Sequence, residues 1–330
     1  MLDSGDIEKT IFRINAEKEF EEKALEIFQL QYRNNPLYHQ FVDELSISAS
    51  TVDSLLKIPF LPIEFFKTHV VKTGSFRSKS VFQSSGTTDM TTSRHHVKDL
   101  TVYEKSMLSA FRLFFGDPSD YVILALLPSY LEREGSSLVY MSEKLIKMSK
   151  DERSGFYLHD YEKLSHLLEE LKNQNKKTLL LGVTYALLDM AEQFPVRFPE
   201  LILMETGGMK GKRKEMIREE LHAKLKKAFG LSTIYSEYGM TELLSQAYSK
   251  GEGVFSTPPW MQILIRDIND PLTLLPDGYS GGINIIDLAN LYSCAFIATQ
   301  DLGKRLSPSH FEILGRFDNS DIRGCNLLVQ

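Results

Sequence analysis

The sequence predicts an α/β protein in which a parallel sheet flanked by helices is followed by a β-rich subdomain. Two observations carry this expectation. Four short apolar runs, at 121–127, 178–183, 201–206 and 232–235, alternate with segments of helical period. That alternation implies βαβ crossovers and a sheet covered on both faces. From Gly253 onward the texture changes to MQILIRDI, GGINIIDLA, CAFIATQ and HFEILGRF, separated by turn signals such as Pro276-Asp-Gly, which suits antiparallel hairpins.

Taken in order, residues from Ala16 to about Leu45 repeat apolar positions every three or four, with Glu and Lys between, and predict helix with a break near Pro36. The next stretch, LKIPFLPIEFFKTHVV, is aromatic and proline-spaced, and predicts an extended segment with a short helix. Helices are expected at 136–149, 161–173, 184–193 and 212–229. The resulting division is an N-terminal helical and extended segment over 1–75, an α/β core over 76–252, a β-rich part over 253–318 and a tail over 319–330.

Composition narrows the classes. Hydrophobic residues at 42% and charged residues at 25% argue against disorder and against a membrane protein. The net charge of -6, with no basic stripe, argues against nucleic-acid binding, which needs clustered cations. The N-terminus MLDSGDIEKT lacks a secretory pattern, and the longest apolar run, YVILALLP, is a core strand too short to span a bilayer. Cys294 and Cys325 are too few for a disulfide framework and form no metal-ligand spacing, so a reduced, cytoplasmic protein is expected.

The chemistry-bearing text clusters at strand ends, where open parallel sheets bind ligands. FQSSGTTDMTTSRHH (residues 82–96) gathers hydroxyls around Gly86 and then supplies Arg94, a composition suited to an anion loop and equally to a surface turn. It lacks the Lys-[ST] ending of a P-loop. Gly207 and Gly208 end the third run, either admitting a flat ligand or making a plain strand-to-helix turn. In YGMTE, Thr241 can donate to a phosphate and Glu242 can hold a divalent cation. The alternative makes them an N-cap and an acidic first turn. A dehydrogenase is disfavoured, because no G-x-G-x-x-G follows the first clear strand.

The ordered set SSGTTDMTTSR, TGG, YSEYGMTE, ATQDLG and ILGRFDN resembles the adenylate-forming superfamily of acyl-CoA synthetases, luciferases and peptide-synthetase adenylation domains. The leader IPFLPIEFFKTHVVKTG more narrowly resembles acyl-protein synthetases of the LuxE type and relatives near phenylacetate-CoA ligase. The resemblance implies ATP- and magnesium-dependent activation of a carboxylic acid, fatty or aromatic, to an acyl-adenylate with pyrophosphate release. Transfer to a protein thiol follows, with coenzyme A as the alternative acceptor and an acyl-accepting protein or reductase as partner.

By the same resemblance, Ser84, Ser85, Gly86, Thr87 and Thr88 form the loop over the β- and γ-phosphates, and Gly207 and Gly208 lie near adenine and the acyl carboxylate. Tyr238, Gly239 and Met240 bind the nucleotide, with the Tyr238 ring near adenine, Thr241 meets the α-phosphate, and Glu242 holds magnesium. Asp301 accepts from the ribose hydroxyls, and Arg316 holds ribose or phosphate. Three departures qualify this pattern. Asp89 replaces a glycine, Arg94 stands for the usual lysine, and twelve residues follow Asp318 where the superfamily carries a lobe of about a hundred with a catalytic lysine. Most of that C-terminal lobe is therefore expected to be lacking. Cys325, beside Arg323, resembles the acyl-carrying cysteine of acyl-protein synthetases. Cys294 is expected in the core, and His95 and His96 in surface or loop packing. A catalytically lapsed nucleotide or acyl binder is the rival reading.

Overall fold

The computed structural model describes residues 4–84, 92–127, 135–207 and 216–317. Three helices open the chain, α1 (Ser4–Thr10), α2 (Glu17–Asn34) and α3 (Pro36–Glu44). Glu17 and Glu19 sit at the positive end of α2, while Pro36 occupies the first turn of α3, where its missing N–H is no loss. Asn35 joins the two: its side-chain oxygen accepts from Tyr38 N at 3.2 Å, and its Nδ2 donates to Ser293 O at 3.0 Å. The proline-spaced leader becomes β1 (Leu61–Pro62) and α4 (Phe65–Thr68). A separate antiparallel ribbon, β2 (Ser80–Gln83) with β3 (Arg94–Val97), precedes α5 (Leu100–Phe115), which Asp99 caps.

The alternating middle then runs β4 (Val122–Leu126), α6 (Ser137–Met148), β5 (Gly155–Phe156), α7 (Tyr161–Asn173), β6 (Thr178–Val183), α8 (Thr184–Gln193), β7 (Ile202–Thr206), α9 (Arg218–Phe229) and β8 (Tyr235–Tyr238). Every residue of β4 and β6 is buried, as strands covered on both faces require. Their side chains alternate between two cores. Ile123, Leu179, Leu181 and Met204 face one, with Phe28, Phe111 and Phe296; Leu124, Leu180 and Leu203 face the other, with Leu168, Leu187 and Leu225.

The remaining strands are β9 (Ala247–Ser249), β10 (Val254–Ser256), β11 (Met261–Arg266), β12 (Leu274–Leu275), β13 (Ser280–Asp287), β14 (Phe296–Ser307) and β15 (His310–Arg316). They pair antiparallel, as the turn signals predict, and are continuous with the parallel half. The order across the sheet is β12-β11-β13-β14-β15-β10-β9-β8-β7-β6-β4-β5, with β1 adding in parallel to β14. Among the described residues no helix is long and apolar enough to cross a membrane.

Two boundaries differ from the sequence expectation. The fourth parallel strand is Tyr235–Tyr238, three residues beyond the predicted run, because Ser236 and Glu237 pair with Glu205 and Thr206 and are buried despite their polarity. Helix α9 starts at Arg218, where Glu219 and Glu220 suit its N-terminus, and the expected start at Lys212 lies outside the described residues.

Buried Gln31 ties α2 to the segment before β14. Its Nε2 donates to Asn290 O and Leu291 O at 3.0 and 3.1 Å, and its Oε1 accepts from Ala295 N at 2.9 Å. Gln31→Leu strands these backbone groups, and the expected loss is about 2–4 kcal/mol in urea unfolding. A change below about 0.5 kcal/mol, the size of an ordinary surface substitution, would contradict this role.

Candidate active site

The segment after β8 makes a turn. Leu243 N donates to Met240 O at 3.1 Å, and the chain reaches β9 with no helix between, so Thr241 and Glu242 are not the start of one. Three buried side chains hold this turn. Asp287 accepts from Leu244 N at 2.8 Å, Ser245 N at 3.0 Å and the Ser245 hydroxyl at 2.6 Å. Asn290 Nδ2 donates to Glu242 O at 2.7 Å. The third, His95, places its Nδ1 2.9 Å from Thr241 O.

A carbonyl only accepts, so His95 Nδ1 carries the proton. Burial holds the imidazole down to about 4, against the weaker opposing effect of this hydrogen bond, and the ring is neutral. The expectation that His95 packs at the surface or in a loop is corrected. Ser93, His95 and Val97 alternate inward along β3, and His95 is 1% exposed. His96 is half-buried and meets the Ser78 hydroxyl at 3.1 Å.

Glu242 is 5% exposed, and burial raises its pKa. Opposing that rise are a hydrogen bond from the Ser93 hydroxyl and the charges of Lys67, on α4, and Arg316, on β15. Among the described residues no cluster of three or more His, Cys, Asp or Glu could hold a metal. A divalent ion at Glu242 would take this one carboxylate and complete its shell with phosphate oxygens and water, a set that magnesium accepts. The residues present fit that ion.

Asp301 lies beside the turn. Tyr238, at the end of β8, donates its hydroxyl to Asp301 Oδ2 at 2.7 Å, and Arg316 Nε lies 3.2 Å from Oδ1. Asp301 and Arg316 are register partners across β14 and β15. Burial raises the Asp301 pKa, while Tyr238, Arg316 and Arg266 oppose it. The Tyr238 ring meets Phe255 and Phe311 edge-on, at 6.0 and 5.7 Å between centroids. Spare lone pairs on both Asp301 oxygens leave it able to accept further donors.

Gly207 ends β7 with φ +68°, a conformation that favours glycine, and Thr184 donates its hydroxyl to Gly207 O at 2.9 Å. Ser84 closes the neck of the hydroxyl-rich loop: its N donates to Ser93 O at 3.2 Å, and its Oγ accepts from Ser93 N at 2.9 Å. Gly239 packs its bare face on Glu237, and Met240 is partly buried against the core.

The structure thus brings together Ser84, Tyr238, Gly239, Met240, Thr241, Glu242, Asp301 and Arg316 through shared contacts, with Gly207 at the neighbouring strand end. Arg94 stands apart: it is exposed on the face of β3 opposite Ser93 and His95, and the cations acting on Glu242 are Lys67 and Arg316. Ser85, Gly86, Thr87, Thr88, Asp89, Gly208 and Cys325 lie outside the described residues. Ser93, His95, Lys67, Asp287 and Asn290 are residues that sequence reasoning missed. For Ser93 and His95 the available signal was the two-residue period leaving the loop, and Lys67 stood in the distinctive leader.

These strand-end features sit on the fold of the adenylate-forming enzymes. ATP-bound MatB from Rhodopseudomonas palustris superposes with a TM-score of 0.53 at 17% identity, covering 72% of this chain and 47% of that one. This chain therefore spans about half the length of MatB. An open conformation of 2-hydroxyisobutyryl-CoA ligase with 2-HIB-AMP and CoA superposes at 0.63 and 14% identity, covering 93% of this chain and 72% of that one. The chain belongs to the acyl-protein synthetase family LuxE, whose model matches residues 13–330. Among curated proteins, no sequence matches.

The neutral state of His95 has a measurable consequence. Its folded pKa lies below the ordinary value of 6.5, so the unfolded chain takes up the proton first and stability falls as pH drops from about 6.5 to about 4. His95→Gln keeps a donor but removes the titration. The expected result is a pH–stability curve up to about 3 kcal/mol flatter over that window, read from urea midpoints. An unchanged slope would overturn the assignment.

Proposed function

We propose that this protein uses ATP to activate a carboxylic acid, fatty or aromatic, as an acyl-adenylate, and then passes the acyl group to a protein thiol. The observation that supports this most directly is the Thr241–Glu242 turn, whose carbonyls are held by His95 and Asn290, beside the Tyr238–Asp301–Arg316 group. Preorganised donors and charges of this kind suit a reaction whose main obstacle is bringing a carboxylate onto a polyanion.

In the first step an oxygen of the acid forms a bond to the α-phosphorus, and the bond to pyrophosphate breaks in line. Thr241 donates to the α-phosphate, and Asp301 accepts from the ribose hydroxyls. Arg316 and Lys67 supply positive charge, and Ser84 to Thr88 cover the outer phosphates. Gly207 and Gly208 border adenine and the acyl carboxylate. Glu242 holds magnesium, which when bound neutralises phosphate charge.

In the second step a thiol sulfur attacks the acyl carbon, AMP leaves, and the thiol proton passes to solvent. Cys294 is unsuited to this: it is fully buried, and burial pushes its thiol up to about 12. Cys325 is the proposed acceptor within the chain. A carrier protein or coenzyme A is the alternative, with a reductase as the consumer of the acyl group and the cytoplasm as the setting.

Carboxylate-dependent ATP–pyrophosphate exchange tests the first step. Glu242→Gln is expected to lower it by about 10²–10³-fold, the cost typical of losing one charge-stabilising group. Near-wild-type exchange in that variant would remove Glu242 from the mechanism. Absence of exchange with every acid tried would favour a lapsed binder.

Labelled acid with ATP tests the second step. Cys325→Ser is expected to abolish protein labelling while leaving exchange intact. Label retained in the variant, or released into solution as acyl-CoA, would refute the Cys325 assignment.

A further inference from the structure

Two polar side chains that the mechanism does not use, Glu237 and Gln246, meet at Gly239. A Cβ added to that glycine would stand 2.4 Å from Glu237 Oε1 and 3.3 Å from Gln246 Cγ, so both side chains occupy the space that any larger residue would need. Glu237 and Gln246 are 8% and 4% exposed. Glu237 accepts through Oε2 from the Thr206 hydroxyl, which leaves Oε1 at Gly239.

The Gln246 amide oxygen can only accept a hydrogen bond, and among the described residues it is buried with no partner. The nearby Tyr103 hydroxyl cannot supply one, because it donates its proton to Ser137 O at 3.0 Å. A buried carbonyl in that state is costly, which makes it a feature to be explained by what binds there.

The location narrows the occupant. Glu237 bridges Thr206, which precedes the Gly207 turn, and Gly239, which stands two residues before Thr241. In the activation reaction proposed above, on which this inference rests, the acid's carboxyl group meets the α-phosphate at Thr241. We infer that Glu237 and Gln246 determine acid specificity, selecting a carboxylic acid with a hydroxyl or ammonium donor within the first few carbons of its carboxyl group. A plain alkyl or phenylalkyl chain would cover both acceptors without satisfying either. A hydroxyl can donate to either oxygen, whereas an ammonium would favour the carboxylate. Both remain compatible with an aliphatic or aromatic remainder packed further in.

The test compares decanoic acid with its 3-hydroxy and 2-amino derivatives, and phenylpropionic acid with phenylalanine, in pyrophosphate exchange. At least one donor-bearing acid is expected to exceed its plain counterpart by roughly tenfold or more in kcat/KM. Gln246→Leu is expected to bring that ratio to about one. Glu237→Gln separates the two chemistries, keeping a preference for the hydroxy acid and removing one for the amino acid. Because each variant is judged by a ratio, a general loss of activity does not decide the outcome.

Plain acids preferred by the wild type, or a ratio unmoved by Gln246→Leu, would overturn the inference. A rise in KM for ATP alone in Gln246→Leu would overturn it too, assigning the acceptor to the adenine amino group. Calorimetric binding of the same acids separates this from the ligase reading. Failed exchange with selective binding of donor-bearing acids would sink the ligase reading alone, whereas equal or absent binding of each pair would sink this one.

Discussion

The carboxylate of Asp287, at the end of β13, organises the centre of the molecule. It accepts from two backbone N–H groups and one hydroxyl of the Leu244–Ser245 pair, and from Ala289 N at 3.1 Å. Burial pushes its pKa up to about 6, and these donors are what keep so enclosed a carboxylate tolerable. Ser245 extends the network to Ser106 of α5 at 3.0 Å, and both hydroxyls lie within 3.1 Å of the Trp260 indole nitrogen. The turn bearing Thr241 and Glu242 is thereby fastened to the antiparallel half of the sheet and to a helix of the other half. A loop so anchored loses little freedom when a ligand arrives, and that is the physical content of preorganisation.

A second consequence concerns the ribbon of β2 and β3. Ser84 and Ser93 close the neck of the hydroxyl-rich loop, and two inward side chains of the same segment reach the turn: Ser93 to the Glu242 carboxylate and His95 to Thr241 O. The base of the loop and the acidic end of the turn are therefore joined by direct contacts. Charge is arranged around them in opposition. Glu242 and Asp301 are both raised by burial, and Lys67, Arg266 and Arg316 restrain that rise. Positive side chains close to buried acids suit a site that receives a polyanion, because the cations remain available to the incoming phosphates.

Three helices of the α/β core, α6, α7 and α8, and the strand at 178–183 follow from local pattern, whereas α5 (Leu100–Phe115) is not among the expected helices. Residues 161–173 and 184–193 show the helical period and have the same bounds in the structure. The hairpin texture after Gly253 is equally local. The strand at Tyr235–Tyr238 escaped because two of its residues are polar, and they are buried only since Ser236 donates to Glu205 at 2.7 Å and Glu237 accepts from Thr206. No window of sequence contains that compensation. The grouping of Tyr238, Thr241, Glu242, Asp301 and Arg316 came from an ordered set of short motifs, whereas the positioning residues around them carry no motif.

Sequence alone determined most of the alternating elements, the two textures of the sheet and the cluster of polar residues at strand ends, because periodicity and turn chemistry act between near neighbours. Tertiary structure decided the strand order of the sheet, which side chains hold the Thr241–Glu242 turn, and which polar groups are buried beside it. Those outcomes depend on contacts such as His95 with Thr241, 146 residues apart, and Asp287 with Leu244, 43 apart. Their energies arise only once the intervening chain has folded and excluded water.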